Sequence, residues 1–420
     1  MTSALLSYED AALLVQRYAE QLAARPKKTA HVKLANTAGR VLASPLLADE
    51  DQPLFPRSTR DGYACRIEEI MQFDWLPVAG STQAGQAPAS SLPSGAVWEI
   101  MTGAPVPNGA DAVVMLEHVD REENRIRMQR ERKLQAWDNV VPRAAQAMKG
   151  DVLLEAGTQI GASQIALAAT CGAAVLDVCV QPRVAILTTG DELIPVEAEP
   201  GPAQIRNSNA PMLAALVAEA GGEPWILPAA ADTAEAIEGA LHKVLQGENG
   251  ADMLLISGGV SAGKFDLVEP CLEKLGATFH FTGIRIQPGK PLVFGEVPRA
   301  GAEPLPFFGL PGNPISSAVT FRLFASRAVG ALAGNRNAGP SFALAELREG
   351  TKGRGNAGLT RFFPAYCDFH SFTDRLPRVD TVPWQGSGDL AAFGRSNCCV
   401  IVPEGTASLD AGAVTRILLF

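Results

Sequence analysis

The chain has 420 residues, of which 47% are hydrophobic and 19% charged, and its formal net charge is −9. This length suggests roughly three domains of about 150 residues each, and 40 glycines with 30 prolines argue against an all-helical protein. The negative charge argues against nucleic acid or an anionic membrane as the main partner, because both attract basic surfaces.

Cysteine usage and hydropathy indicate where the protein works. Seven cysteines, an odd number without C-x-x-C spacing, fit a reducing compartment better than a disulfide framework. No apolar stretch reaches transmembrane length. The opening residues, "MTSALLSYEDAALLV", lack the basic residues and cleavage pattern of a signal peptide. We therefore expect a soluble cytoplasmic protein.

Residues 1–47 begin with a predicted amphipathic helix. Ser7 is placed to cap its N-terminus, with Asp10 three residues further on, and Pro26 ends it. Residues 150–180 return to the same style, with a turn, a helix of small residues and a strand. We expect 1–47 and 150–180 to form one helical and extended unit into which another domain is inserted.

Residues 48–149 read as that inserted domain. Short apolar runs alternate with Gly/Pro turns, which is typical of a small β-domain of barrel-like form. Near its start, "DQPLFPRSTRDGYACR" carries Arg60 and Asp61 directly before Gly62. This pattern suits an exposed functional loop, and an ordinary surface turn would have the same composition.

Residues 181–330 alternate candidate strands and helices, which predicts an α/β domain with a mainly parallel sheet. The most informative stretch is "DMLLISGGVSAGKFD", residues 252–266. A short apolar strand is followed by a glycine loop, polar side chains and a helix start, the layout of an anion site at the carboxyl edge of a parallel sheet. A tight turn without a ligand is the alternative. The candidate residues here are Ser257, Gly258, Gly259, Ser261, Lys264 and Asp266.

Four further loops follow predicted strands of the same domain. They are "TTGDEL" with Glu192, "AADT" with Asp232, "QPGKP" with Lys290, and "GLPGNP" with Asn313. Ligand clefts in such sheets lie outside the carboxyl ends of the strands, so these loops are expected to converge on one site. Residues 331–420 then contain short strands separated by turns, which predicts a C-terminal β-domain.

Seven motifs in order give the chain a family resemblance. They are "TRDGYA", "TGAPVP" with "GAD" and "VV", "TTGDEL", "SGGVSAGKFD", "QPGKPLVFG", "GLPGNPIS" and "GSGDLAAF". The chain resembles the MoeA family of molybdopterin molybdenumtransferases, including the C-terminal part of gephyrin. The resemblance covers essentially the whole chain. It implies a homodimer whose subunits have a split helical segment, an inserted β-domain, a MogA-like α/β molybdopterin-binding domain and a C-terminal β-domain.

The resemblance also implies a reaction, its ligands and its partners. Molybdate is inserted into adenylylated molybdopterin with release of AMP, and Mg²⁺ assists. Other cofactor-biosynthesis proteins and molybdoenzymes are implied as further partners. The implied catalytic residues are Asp61, Glu192, Asp232 and Asp266, and the last three are the candidate metal ligands. The implied substrate-binding residues are Arg60, Thr102, Gly190, Ser257, Gly258, Gly259, Ser261, Lys264, Lys290, Pro311, Gly312, Asn313 and Pro314.

The chain departs from the family pattern at a few positions. Gln146 stands where many members have an acidic residue, and Gly283 and Gln287 stand where lysines are frequent, with Arg285 nearby. Two alternatives remain beside molybdenum insertion, the first because of the shared α/β domain and the second because of Gln146 and Gln287. One is ATP-dependent adenylylation of molybdopterin, as in the MogA family, which normally lacks the inserted and C-terminal domains. The other is a non-catalytic molybdopterin-binding scaffold.

Overall fold

The first helix, α1 (Tyr8–Ala24), begins at the predicted cap: the Asp10 N–H donates to Ser7 Oγ at 3.0 Å. The structure, a computed structural model, describes residues 5–245, 250–259, 267–351, 356–369 and 376–420. The apolar face of α1, including Ala11 and Leu22, is buried in the same core as the central α/β sheet. After α1 come β1 (Thr29–Lys33), a 3₁₀ turn (Leu34–Asn36) and β2 (Leu46–Leu47).

The inserted region forms a six-stranded sheet. Its elements are β3 (Arg57–Ser58), β4 (Gly62–Cys65), α2 (Ile67–Gln72), β5 (Leu76–Thr82), β6 (Val97–Ile100), β7 (Ala112–Met115), a 3₁₀ turn (Leu116–His118), β8 (Val119–Glu122), β9 (Arg125–Met128) and β10 (Val140–Val141). The strand order is β7-β4-β6-β5-β9-β8, and β3 pairs separately with β10. The strand pairings of this region form an open sheet, with β7 and β8 at opposite edges. The sequence had indicated a barrel-like form. The 3₁₀ turn separates β7 from β8 and carries the chain between those two edges.

The chain then returns to pair with its first strands. The elements are β11 (Val152–Leu154), α3 (Ala162–Thr170) and β12 (Val175–Cys179). β12 pairs antiparallel with β1, and β11 pairs antiparallel with β2. Apolar side chains from both segments, such as Leu42 and Val178, share one small core. The segments on either side of the inserted sheet therefore pack as one unit.

The central region is an α/β layer structure. Its elements are β13 (Arg183–Thr188), β14 (Leu193–Ile194), β15 (Ile205–Arg206), α4 (Asn209–Glu219), β16 (Glu223–Ile226), α5 (Ala234–Leu245), β17 (Met253–Ser257), α6 (Val268–Lys274), β18 (Thr278–Thr282), β19 (Ile286–Gln287), β20 (Val293–Arg299), β21 (Ala302–Leu310), α7 (Pro314–Thr320), a π-helical turn (Phe321–Ala325) and α8 (Ser326–Leu332). The sheet order is β16-β13-β17-β21-β20-β18. The first four strands are parallel, β20 runs antiparallel to β21, and β18 runs antiparallel to β20. Apolar cores cover both faces of the sheet, so the predicted α/β class is confirmed.

The last region closes into a small barrel. Its elements are β22 (Phe342–Leu347), β23 (Thr360–Asp368), β24 (Arg378–Thr381), α9 (Leu390–Phe393), β25 (Cys398–Val402) and β26 (Val414–Leu419). The ladder runs β23-β24-β22-β26-β25, and β25 pairs back onto β23. β19 of the central region adds in parallel to β23, so backbone hydrogen bonds join the two regions directly. Within the described part of the chain, no helix has the length and apolar character needed to cross a membrane.

Candidate active site

A cavity of about 860 Å³ lies at the carboxyl ends of β13, β17 and β21. This is the edge at which open α/β sheets bind their ligands. The predicted site residues that line it are Gly190, Glu192, Asp232, Ser257, Gly258, Gly259, Pro311, Gly312, Asn313 and Pro314. The loops "TTGDEL", "AADT", the first glycine loop and "GLPGNP" therefore converge as the sequence analysis expected.

Glycines form part of the cavity wall because side chains there would collide with the backbone. Gly258 has φ +98° and Gly259 has φ +64°, conformations that L side chains rarely adopt. A Cβ on Gly258 would lie 2.7 Å from the carbonyl oxygen of Thr189. A Cβ on Gly312 would lie 3.5 Å from the Cα of Gly258, so the two loops approach each other backbone to backbone. Such a surface exposes peptide groups to a ligand.

The residues that hold these loops together were not among the predicted site residues. Asn209, at the first position of α4, donates from Nδ2 to the Gly312 carbonyl oxygen at 2.7 Å and to Ser257 Oγ at 2.9 Å. Asn207 donates from Nδ2 to Thr188 Oγ1 at 2.9 Å and accepts from the Ala210 N–H. The run "IRNSN" gave only a weak indication of this role in the sequence. Two asparagines at the start of a helix are usually explained as helix caps. Thr189, Arg206 and Ser208 also line the cavity.

Two of the predicted carboxylates lie on one side of the cavity. The Asp232 N–H donates to Asp191 Oδ1 at 3.0 Å. Partial burial raises the pKa of Asp232, and the nearby charges of Asp191 and Glu192 raise this pKa further. A Cβ on Gly190 would lie 2.7 Å from the Glu192 carboxylate, which shows how closely that group folds over the loop. Asp191 and Glu192 therefore lie close enough to Asp232 to disfavour its ionised form.

A cation bound at this wall would have to take part of its ligands from outside the described side chains. Among the residues the structure describes, no group of three or more His, Cys, Asp or Glu side chains could hold a metal ion. Mg²⁺ commonly uses one or two carboxylates with waters and substrate phosphates. Glu192 and Asp232 could supply those carboxylates. Asp266, the third candidate, lies outside the described residues, as do Ser261 and Lys264.

The C-terminal region contributes one wall of the cavity. Gly388 and Leu390 line it, and the Ile315 N–H donates to the Ser387 carbonyl oxygen at 3.0 Å. The carboxylate of Asp389 accepts a hydrogen bond from the Ala392 N–H at 2.9 Å and so caps α9. The motif "GSGDLAAF" thus places Gly388 and Leu390 at the site, while Asp389 between them caps the short helix α9.

Asp61 and Thr102 form a pair on the inserted region. The Thr102 N–H and hydroxyl both donate to Asp61 Oδ1, at 2.7 and 2.8 Å. These two bonds, the backbone one first, hold the pKa of Asp61 below its usual value. Neither residue lines the cavity, and nor does Arg60. The structure therefore joins Asp61 to Thr102 and leaves this pair apart from the cavity of its own chain.

Lys290 is exposed and does not line the cavity, although the adjacent Pro291 does. The neighbouring cation, Arg285, is committed to another contact: its Nε donates to Glu404 Oε1 at 3.1 Å, and its Nη1 donates to the Leu5 carbonyl oxygen at 3.0 Å. Arg285 therefore ties the central region to the C-terminal barrel and does not replace a missing lysine in the cavity.

The positions that depart from the family pattern have local structural contexts. Gly283 has φ +133°, and a Cβ there would lie 2.7 Å from Leu5 Cδ2. Gln287 pairs with Arg361 across the β19–β23 ladder. Gln146 is exposed, and its N–H donates to the Gln52 carbonyl oxygen at 2.8 Å. The residue before Gln52, Asp51, carries a carboxylate. It accepts hydrogen bonds from the Lys149 N–H and from Arg143 Nε.

Comparison with known proteins defines the class of protein. Residues 6–172 match the MoeA N-terminal region (domain I and II), residues 185–331 match a probable molybdopterin binding domain, and residues 346–420 match the MoeA C-terminal region (domain IV). The cavity lies within the second and third of these matches. The fold is thus that of a multidomain protein of the MoeA type with a probable molybdopterin binding domain.

Individual relatives identify the family. The chain is 32% identical to the molybdopterin molybdenumtransferase of Haemophilus influenzae, covering 93% of this chain and 94% of that protein. It is 33% identical to the enzyme of the same name from Bacillus subtilis, covering 93% and 90%. Among solved structures, the molybdopterin biosynthesis MoeA protein of Pyrococcus horikoshii superposes with a TM-score of 0.79 at 27% identity, covering 99% of this chain and 100% of that chain. This chain belongs to the MoeA family of molybdopterin molybdenumtransferases.

Proposed function

We propose that this chain inserts molybdate into adenylylated molybdopterin with release of AMP, as a step of molybdenum cofactor biosynthesis. The observation that carries the proposal is the cavity at the carboxyl ends of β13, β17 and β21, walled by the C-terminal loop at Gly388. Its position in a chain that matches the Haemophilus influenzae molybdenumtransferase over 94% of that protein's length supports this reaction. A simple adenylylating enzyme of the MogA type would not require the C-terminal wall.

The wall groups divide by chemistry. The backbone amides around Gly259 and Gly312 are suited to phosphate oxygens, because N–H groups can approach an anion closely where no Cβ intervenes. The Gly258 N–H already donates to the Leu310 carbonyl oxygen at 3.2 Å. Ser257 and Asn313 add polar groups at the same edge. Lys290, on the loop beside Pro291, is a candidate cation for the phosphates or for molybdate. The amides thus bind and orient the adenylate before any bond is broken.

The carboxylates are proposed to act with Mg²⁺. Glu192 and Asp232 would hold it together with substrate phosphate and water, and Asp266 is the third candidate. When bound, Mg²⁺ supplies positive charge against the phosphate oxygens of the adenylate. The raised pKa of Asp232 supports this assignment, because a cation relieves the repulsion from Asp191 and Glu192 that causes part of the rise.

We propose a homodimer in which the inserted region of one protomer faces the cavity of the other. This arrangement would bring Arg60, Asp61 and Thr102 to the substrate, which they do not reach through the cavity wall of their own chain. Exposed apolar side chains support an interface on this part of the molecule. They are Leu47, Leu54, Phe55, Trp137 and Val152.

A mixing experiment tests the shared site. Asp61→Ala and Asp232→Asn are each expected to be inactive alone. If the two residues serve one site from different protomers, an equimolar mixture allowed to exchange subunits recovers about a quarter of the wild-type activity, because half of the dimers have one intact site. No recovery in a mixture shown by mass spectrometry to contain heterodimers would place Asp61 and Asp232 on the same chain's site.

One assay tests the reaction. Purified protein is incubated with adenylylated molybdopterin, molybdate and Mg²⁺, and AMP release is followed together with cofactor formation. AMP release that depends on molybdate supports insertion. ATP consumption with free molybdopterin would indicate an adenylyltransferase, and binding without turnover would indicate a scaffold. We also place the protein in the cytoplasm, supported by its seven cysteines, all of which are free and buried.

A further inference from the structure

Two oxygen atoms in the cavity wall are buried without a hydrogen-bond partner among the described residues: Thr189 Oγ1 and Asn209 Oδ1. Both residues line the cavity. Leaving a buried polar atom unpaired costs about 1–3 kcal/mol. Other buried atoms without partners in the described part of the chain belong to residues away from this cavity. Two such atoms in one binding cleft therefore call for a ligand explanation.

The orientation of the Asn209 amide is fixed by its neighbours. Its Nδ2 is 2.7 Å from the Gly312 carbonyl oxygen, and a carbonyl oxygen can only accept. The nitrogen must therefore face Gly312, and its second hydrogen reaches Ser257 Oγ at 2.9 Å. With both donors used, Oδ1 is left as a free acceptor. One side chain thus joins the ends of β17 and β21, the two strands whose loops form the glycine wall.

Thr189 Oγ1 lies beneath the glycine loop. A Cβ on Gly258 would be 2.9 Å from this atom, and a Cβ on Gly259 would be 3.0 Å from it. Only glycine at both positions leaves the hydroxyl its space. Thr189 is otherwise 5% exposed, and its N–H donates to the Ser257 carbonyl oxygen at 3.1 Å. The hydroxyl therefore occupies a fixed place beside the same strand end that Asn209 holds.

We propose that Asn209 is a positioning and recognition residue of this site: its nitrogen fixes the Ser257 and Gly312 loops relative to each other, and its oxygen, with the Thr189 hydroxyl, is completed by the ligand. The ligand edge must present an N–H donor to Asn209 Oδ1 and a second polar atom to the Thr189 hydroxyl. The amino-oxo edge of a pterin ring has this chemistry. The pterin assignment rests on the proposed function, whereas the positioning part rests on the protein contacts alone.

Two substitutions separate recognition from positioning. Thr189→Val removes one hydroxyl with little change of shape, and it is expected to weaken molybdopterin binding by about threefold to tenfold, the loss of one neutral hydrogen bond. Asn209→Asp replaces the donor nitrogen by an acceptor that faces the Gly312 carbonyl oxygen. It is expected to weaken binding by more than about tenfold, since it disturbs the loops and the recognition atom together.

The matched control is Asn124→Asp. This exposed asparagine donates from Nδ2 to the Val78 carbonyl oxygen at 3.1 Å on the inserted sheet, so it makes the same chemical change away from the cavity. Binding of molybdopterin is measured by ultrafiltration, with the bound pterin quantified as its fluorescent oxidation product. Hydrogen exchange at the backbone amides of residues 257–259, 310, 312 and 313 is measured in the same samples without ligand; Pro311 has no amide hydrogen.

Faster exchange in Asn209→Asp, with exchange in Thr189→Val and Asn124→Asp unchanged, supports the positioning role. Unchanged exchange in Asn209→Asp overturns it. Wild-type affinity in both Thr189→Val and Asn209→Asp overturns the recognition role, as does a wild-type protein that binds no molybdopterin. A wild-type protein that binds molybdopterin without molybdate-dependent AMP release contradicts the proposed reaction alone, and the binding comparison still decides the role of Asn209.

Discussion

Gly312→Ala should remove ligand binding while leaving the fold intact. Gly312 lines the cavity, and its backbone lies outside the left-handed region, so alanine can adopt its conformation. The nearest atom to the new methyl group is the Gly258 Cα at 3.5 Å, an ordinary van der Waals contact. Since neither strain nor a clash arises, we expect the free energy of unfolding to change by less than about 1 kcal/mol, and a small increase is the favoured direction.

The expected loss of affinity follows from what the methyl group occupies. It enters the gap between the Gly312 and Gly258 loops, where a phosphate must approach the backbone amides. Displacing a charged acceptor from one such amide costs about 1.5–3 kcal/mol, which corresponds to roughly tenfold to a hundredfold weaker binding of adenylylated molybdopterin.

Two other glycines provide comparisons. Gly239→Ala lies within α5, where nothing is within 4 Å of the new Cβ, so we expect normal binding and a gain of about 0.5–1 kcal/mol. Gly258→Ala combines a φ of +98° with a Cβ 2.7 Å from the Thr189 carbonyl oxygen, so both stability and binding should fall. Thermal unfolding and ultrafiltration measure the two effects. Wild-type affinity in Gly312→Ala would refute the assignment of this gap to the ligand.

Three further predictions follow from individual contacts. The pKa of Asp232 in the folded state is raised above its value in the unfolded state, which is about 4, so the stability that Asp232 contributes is lost as the pH rises through the folded-state pKa. Asp232→Asn should therefore raise the melting temperature in metal-free buffer at neutral pH, and it should abolish any stabilisation by MgCl₂. An undiminished MgCl₂ effect would exclude Asp232 as a ligand. Thr102→Val removes one of two donors to Asp61 and should raise the pKa of Asp61 part of the way to its usual value, as measured by NMR titration; an unchanged pKa would contradict the role of the hydroxyl. Arg361→Met should lower the stability of the C-terminal barrel by about 2–5 kcal/mol, because the Thr406 and Ala407 carbonyl oxygens lose the Arg361 Nη2 donor, and denaturant unfolding that matches the wild type would show that these bonds are dispensable.

Local sequence patterns were sufficient for the elements that build the site. Met253–Ser257 is buried along its whole length between two parallel neighbours, as a short apolar run before glycines predicts. The cap at Ser7 and the α/β alternation were likewise readable, because they depend on residues close together in the chain. The same patterns did not distinguish an open inserted sheet from a barrel, since closure depends on which distant edges pair.

Side-chain networks between loops were beyond reach of the sequence. Asn209 is 48 residues from Ser257 and 103 from Gly312, and its two bonds exist only after the parallel sheet brings three loops to one edge. Gly283 shows the same limit from the other direction. In the sequence, Gly283 is noted only because it stands where lysine is frequent in the family. In the fold, its left-handed backbone and the proximity of Leu5 Cδ2 account for the glycine. Long-range packing determined both residues.

The charge of the cavity wall bears on the proposal that two protomers share the site. Glu192 and Asp232 line the wall, and Arg206 is the one cationic side chain among its described lining residues; Arg206 Nε donates to the Ala198 carbonyl oxygen at 3.0 Å. Molybdate and an adenylate both bring negative charge to this wall. Because two carboxylates repel such a ligand, added positive charge at the wall would favour its binding. Mg²⁺, Lys290 and the Arg60 loop of a second protomer are the proposed sources of this charge. They predict different responses: chelation removes only the first, whereas Arg60→Ala removes only the last.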